Sequence, residues 1–199
     1  MAIGLAPNGA YLVSGTLNNE DVASATFNSL AYPTGQLGKL ITLSDAMAAR
    51  FSYSTNTLFA GVYQCVQFLS TSTAANLRGG AVFWQSRASF IVTPDATAVT
   101  EADFAGVGLM VNTKGNFGWI QVAGKAGCLY RATVTDKNVS NLVLQLTTTN
   151  TFDAIADATG TYVSGGVKGI KNIVGQAITI PADGAIATVA IWPRNLNFG

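Results

Sequence analysis

No histidine occurs among the 199 residues, which removes the commonest general base and the commonest metal ligand together. A nucleophile would have to be a serine or one of two cysteines, activated by Lys, Asp or Glu. Lys125 stands three residues before Cys128 in "GKAGC", and a nearby ammonium can lower a thiol pKa. In an alternating strand, positions three apart face opposite sides, so this pair is not expected to meet. The close carboxylate pairs are Glu20–Asp21, Glu101 with Asp103, and Asp153 with Asp157. Paired carboxylates can hydrolyse glycosides. Here Glu101 and Asp103 read better as charges at a short helical turn, and Asp153 and Asp157 as a solvated loop. Cys65 and Cys128 are far apart, and neither belongs to a C-x-x-C metal or redox motif. They are expected to be small buried side chains or a disulfide, and spacing alone does not choose. Neither a Walker-type nor a dinucleotide glycine fingerprint is present. Trp84, Trp119 and Trp192 could form a sugar platform, but neighbours such as Val82, Phe83 and Ile120 favour core. The expectation is a chain that is not an enzyme, with no catalytic, cofactor or metal site.

Composition points the same way. Only 11% of residues are charged, against about 25% in an ordinary soluble domain. Hydrophobic residues make up 49%, enough for a sizeable core, and Thr, Ser, Asn and Gln supply the polarity. A surface this poor in Lys and Glu suits a protein that lies against other protein. Net charge is +1 and the basic residues are scattered singly, so direct nucleic-acid binding is not expected. The first residues, "MAIGLAPNGAYL", lack a basic leader and a continuous apolar run, so a signal peptide is not expected. The uncharged stretch between Arg50 and Arg78 alternates apolar and polar residues, which predicts strands instead of a membrane span.

These residues must be positioned by β-structure. "GVYQCVQFL", "AVFWQ" and "SFIVT" are short, aromatic and β-branched, and are bounded by turn signals. "AGVGLMVN" and "FGWIQVAG", joined by "TKGN", predict a hairpin. "CLYRATV", "NLVLQL" and "GTYVS" predict further strands, with "NTFDAIADATG" as a connection. "QAITIPADGAIATVAIW" predicts a second hairpin turning at Pro181–Gly184. "LSDAMAAR" predicts one short helix capped by Ser44 or Asp45, and "VTEADF" a helical turn. Residues 1–43 differ from the rest: turn signals are dense, yet aromatic and aliphatic residues persist. They read either as an extended arm that docks on a neighbour or as edge strands of the same domain. Tyr11, Leu12, Val13, Phe27, Leu30, Tyr32 and Leu37 are its candidate partner-facing residues. The predicted architecture is all-β: a single small barrel or sandwich of roughly seven to ten short antiparallel strands. The arm is placed at 1–43 and the β-rich body at 44–199, with one or two helical turns.

"GVGLMVNTKGNFGWIQVAGKAGCLY", with "VYQCVQF" and "GGAVFWQ" upstream, resembles segments of the capsid decoration, or cement, proteins of tailed bacteriophages. The similarity covers roughly residues 58–134 and fades toward both ends. It implies a non-enzymatic virion subunit on the outer surface of the head, made in the host cytoplasm. Such a subunit binds at joints between capsomers and stabilises the shell against packaged DNA. The implied partners are the major capsid protein and further copies of the chain, as a dimer or trimer. Another virion structural subunit, such as a head-fibre base, tail or minor capsid protein, is the alternative; a carbohydrate-binding β module is a further one.

Overall fold

The computed structural model describes residues 4–5, 11–12, 37–51, 57–69, 71–72, 77–96, 103–109, 115, 117–145, 150–155 and 173–192. The protein is all-β. Gly4–Leu5 (β1) and Tyr11–Leu12 (β2) pair antiparallel with each other. The remaining strands are Leu40–Leu43 (β3), Gly61–Phe68 (β4), Ala81–Ser86 (β5), Ile91–Thr93 (β6), Phe104–Gly108 (β7), Phe117–Leu129 (β8), Leu142–Gln145 (β9), Phe152–Ile155 (β10), Ile173–Ala177 (β11) and Ile186–Ile191 (β12). They form one ten-stranded sheet. A single helix, Asp45–Phe51 (α1), follows β3 among the described residues. Ser44 caps it: its hydroxyl accepts from the Met47 amide at 3.4 Å.

Five strands close on themselves. β4 pairs with β6, β6 with β5, β5 with β7, β7 with β8, and β8 returns to β4. All these pairings are antiparallel except β4 with β6. That parallel pair follows from connectivity, since β5 runs back between them. Closure removes the open edges that an extended sheet would expose. The barrel interior is filled from all five strands by Val66, Phe68, Val82, Val92, Ala105, Ile120 and Val122. Side chains alternate along each strand, so the opposite phase of β4 and β8 points outward. There Tyr63, Cys65 and Trp119 pack with Ile41 and Leu43 of β3 and Ala48 of α1. Four residues of the predicted arm, Leu40–Leu43, therefore belong to the body sheet as its strand beside β4.

A long strand carries the sheet beyond the barrel. β8 has 13 residues where two separate strands are expected from the sequence. Its first half pairs with β4 and β7, and Gly124–Leu129 pairs with β12. Gly124 bends the strand without ending it, because φ of +95° is open to glycine at little cost. The register against β4 also slips by one residue between Val62 and Tyr63, a bulge of the kind found at such corners. Residues 131–134, expected to continue the "CLYRATV" strand, instead leave the sheet after an isolated bridge from Tyr130 to Phe152. β9 to β12 and the outer faces of β5 and β7 enclose a second core containing Phe83, Phe104, Cys128, Phe152, Val174 and Val189.

β10 replaces the connection expected over "NTFDAIADATG". Asp153 sits in the middle of this strand and is fully buried, against the expectation of a solvated loop. Its carboxylate is saturated. Oδ1 accepts from the Thr135 and Ala154 amides, each at 2.9 Å. Oδ2 accepts from the Thr135 hydroxyl at 2.6 Å and from Arg131 at 3.2 Å. A buried charge is tolerable only with such partners. The residues before Asp103 in the predicted turn at "VTEADF" fall outside the described residues, and Asp103 is an ion-pair partner of Arg87. The predicted "GTYVS" strand lies outside the described residues.

Candidate interaction surface

The residues with the greatest chemical potential are in the core. Cys65 and Cys128 are free, fully buried and members of different clusters, so the disulfide reading is set aside. Burial pushes both thiols up, for Cys65 against a weaker opposing pull from Lys39, so both stay protonated and are poor nucleophiles. Lys125 is exposed while Cys128 points inward, as their spacing predicts. Tyr130 is also buried, and its hydroxyl has no hydrogen-bond partner among the described residues. Its pKa is raised by burial first, then by Cys128 and Asp153, so it too holds its proton. No group of three or more Cys, Asp or Glu side chains suited to a metal ion occurs among the described residues. Trp119 is core, as expected. Trp84 is half-buried, with the Arg87 guanidinium 5.7 Å from its ring centroid. Trp192 departs from the expectation, since it is 44% exposed at the end of β12.

Of the predicted partner-facing residues, three fall among the described residues. Tyr11 and Leu12 form β2, and Leu37 lies half-buried in the turn before β3. Val13, Phe27, Leu30 and Tyr32 lie outside the described residues.

A different surface emerges on the β11–β12 hairpin. Along β12, Ala187, Val189 and Ile191 are buried and alternate with Ile186, Thr188, Ala190 and Trp192 on the outer face. Gln176 pairs with Ala190, so Ile178 follows on the same face beside Thr188. Exposed large hydrophobic side chains among the described residues are Val139, Ile178, Ile180, Ile186 and Trp192, and four of these five belong to this hairpin and its end. Ile180 is the most open, at 66%. From Ile186 to Trp192 the row runs about 20 Å at the usual strand rise. The signal for it was in the sequence: apart from Thr188, "AIATVAIW" is apolar in both phases of the alternation, so burying one phase leaves the other exposed.

The hairpin is braced from below. Asp183, in its loop, accepts from the Val134 amide at 2.7 Å and from Lys137 at 2.7 Å. The Lys137 hydrogen bond, then the Val134 amide, hold the Asp183 carboxyl below its ordinary value. A depressed carboxyl stabilises the fold above its unfolded pKa and ceases to do so as pH falls through the folded pKa. The Asp183→Asn variant should therefore melt below wild type at neutral pH, and the two melting curves should converge below the ordinary carboxylate range. A constant gap across a pH series of thermal melts would show that the brace does not depend on this charge.

Beside the row lies a cleft of about 260 Å³. Thr57, Phe59, Arg78, Gly127, Ile186 and Thr188 are among its lining residues. It exists because Gly127 has no side chain: a Cβ there would meet Ile186 Cγ2 at 3.0 Å and Phe59 Cε2 at 3.8 Å. Among the described residues lining it, Arg78 is the only ionisable one, and burial lowers its pKa. Small-molecule sites commonly enclose about 300–1,000 Å³, so this cleft lies just below the small end of that range.

No protein-family model matches the chain, and no curated protein matches it.

Proposed function

We propose that the chain is a decoration subunit of a tailed-phage head, bound to the outside of the shell at joints between capsomers. It acts mechanically, as a clamp between neighbouring subunits, and not as an enzyme. The observation that carries this reading is the apolar row of Ile178, Ile180, Ile186 and Trp192 on a chain with 11% charged residues. Exposed apolar side chains gathered on one hairpin point to a protein-docking surface. The segment resembling the decoration proteins, roughly 58–134, spans the closed barrel from β4 to β8, the rigid body such a clamp requires. Tyr11, Leu12, Val13, Phe27, Leu30, Tyr32 and Leu37 are proposed as further contacts, lying along a neighbour. The partners are the major capsid protein and other copies of this chain, as a dimer or trimer, and many weak contacts add through multivalency.

The test uses purified particles. Quantitative mass spectrometry should find the chain in hundreds of copies on the head, and particles stripped of it should rupture at a lower temperature. Adding the protein back should restore the rupture temperature, whereas the Ile178→Asp/Ile180→Asp variant should fold normally and fail to restore it. Tens of copies confined to one vertex or to the tail would favour another virion structural subunit. Equal rupture temperatures with and without the chain would overturn the clamp.

A further inference from the structure

We infer that two copies of the chain pair through β12 about a two-fold axis, the Trp192 indole of each entering the cleft beside Ile186 of the other. Knob and hole stand at opposite ends of one exposed row. Ile186 lines the cleft at the start of β12. Trp192, 44% exposed, ends the row about 20 Å away on the same face. A two-fold axis in the plane of the interface, crossing β12 at the level of Val189, lays the two β12 strands antiparallel and face to face. Ile186 then meets the second copy's Trp192, and Thr188 meets the second copy's Ala190. The neighbouring strand obeys the same axis. Gly127 pairs with Thr188, and Lys125 with Ala190. Lys125 of each copy therefore lies over the second copy's Gly127, where no side chain crowds its stem. Large side chain meets cleft, small meets small, and long meets glycine. That is the self-complementarity a two-fold interface requires.

The cleft also offers the indole a hydrogen-bond acceptor. Gln121 lines it and is 2% exposed. The Gln121 side-chain nitrogen donates to the Ala123 carbonyl at 3.4 Å and to the Lys125 carbonyl. No donor among the described residues reaches its side-chain oxygen. Among the described residues, the Tyr130 hydroxyl is the one fully enclosed side-chain polar atom without a partner, so the Gln121 oxygen keeps access to the cleft. An indole has an apolar body, one N–H donor and no acceptor. It matches apolar walls from Phe59 and Ile186 with a single waiting oxygen between them.

The size of the contact sets its strength. A face about 20 Å by 10 Å and an indole of about 150–250 Å² give roughly 400 Å² per copy. A standard stable interface takes about 800 Å² per partner. The pair is therefore weak and depends on concentration. This pairing assigns the β12 part of the row to a second copy and leaves the hairpin loop, with Ile180, for the shell contact proposed above. It deepens that reading without depending on it, because self-association belongs to the purified chain. A pair presents two hairpin loops, so loss of Trp192 also lowers affinity for the particle through lost multivalency.

Sedimentation velocity of the full-length chain over a concentration series tests the pairing. The wild type should pass from monomer to dimer as concentration rises. Trp192→Ala and Ile186→Arg should each stay monomeric while keeping the wild-type circular dichroism. An equal mixture of the two separates a knob in a cleft from a merely adhesive face. Trp192→Ala keeps its cleft and Ile186→Arg keeps its indole, so a mixed pair has one intact contact where each variant alone has none. The mixture should form dimers, at higher concentration than the wild type. A mixture that stays monomeric, a wild type that stays monomeric or forms trimers, or single variants that dimerise like the wild type would each overturn the pairing. Trp192→Phe keeps an aromatic body and removes the N–H donor. It should raise the dissociation constant about five-fold, the loss of one ordinary hydrogen bond. An unchanged constant would overturn the Gln121 contact. Particles that rupture alike with and without the chain would overturn the clamp and leave this pairing intact.

Discussion

Gly124→Ala is expected to be strongly destabilising. Two costs coincide there. Gly124 holds φ at +95°, where an L-residue carries strain of about 1–3 kcal/mol. A Cβ would also stand 2.6 Å from both the Ala60 carbonyl oxygen and Gly61 Cα, which are backbone atoms and cannot swing aside. Forcing extra atoms into a packed position costs about another 1–3 kcal/mol. Two other glycines separate these terms. Gly184 has φ of +64° and open space around it, so Gly184→Ala reports strain alone. Gly175 has no positive φ, but its Cβ would lie 2.0 Å from the Ala190 carbonyl oxygen, so Gly175→Ala reports crowding alone. Thermal melts should place Gly124→Ala well below Gly184→Ala, roughly 10 °C below wild type at about 2–4 °C per kcal/mol for a chain of this size. If Gly124→Ala melts no lower than Gly184→Ala, the close crossing of β4 and β8 is looser than described.

That glycine also marks the limit of what sequence alone conveys. The local pattern around it was legible: alternation and turn residues place β4, β5, β6, β7, β9, β12 and the first half of β8 close to where they occur, whereas β11 begins three residues before the strand expected from "QAITI". Ser44 and the alanines after it likewise place α1. "FGWIQVAG" and "CLYRATV" read as two separate strands. Continuity of β8 depends instead on Gly61 lying opposite Gly124, a partner far away in the chain. Asp153 failed for a similar reason. A carboxylate inside "FDAI" argues against a buried strand until Arg131 and Thr135, about twenty residues earlier, are seen to saturate it. Closure of the barrel through the parallel β4–β6 pair is likewise a long-range event that no local period announces. The exposed face of β12 was different in kind: its double-phase apolarity was visible, but one phase had to be assigned to the core before the other could be seen as surface.

The tryptophans carry the second large effect, and they separate scaffold from surface. Trp119 has no exposed area; it lies opposite Cys65 on the outward phase of β8, beneath Ile41, Leu43 and α1. It bridges the barrel to the elements that follow the arm, so its removal opens a void between two rigid layers that cannot collapse together. Truncating a buried tryptophan costs about 3–5 kcal/mol. Trp119→Ala should therefore melt about 6–20 °C below wild type. Trp192 is of the same residue type but stands 44% exposed on the outer row of β12. Truncating it removes little packing, so Trp192→Ala should melt within about a degree or two of wild type, because surface substitutions usually shift stability by less than about 0.5 kcal/mol. Where it should differ is in binding, because aromatic side chains on an exposed row are the residues most often found at energetic centres of interfaces. The pair thus predicts a crossed result: Trp119→Ala loses stability, and Trp192→Ala keeps stability but loses affinity for the stripped particle. If Trp192→Ala binds at full strength while Ile178→Asp/Ile180→Asp does not, the docking surface is confined to the hairpin tip. If Trp119→Ala keeps the wild-type melting temperature, the layer beneath α1 does not hold the barrel to β3.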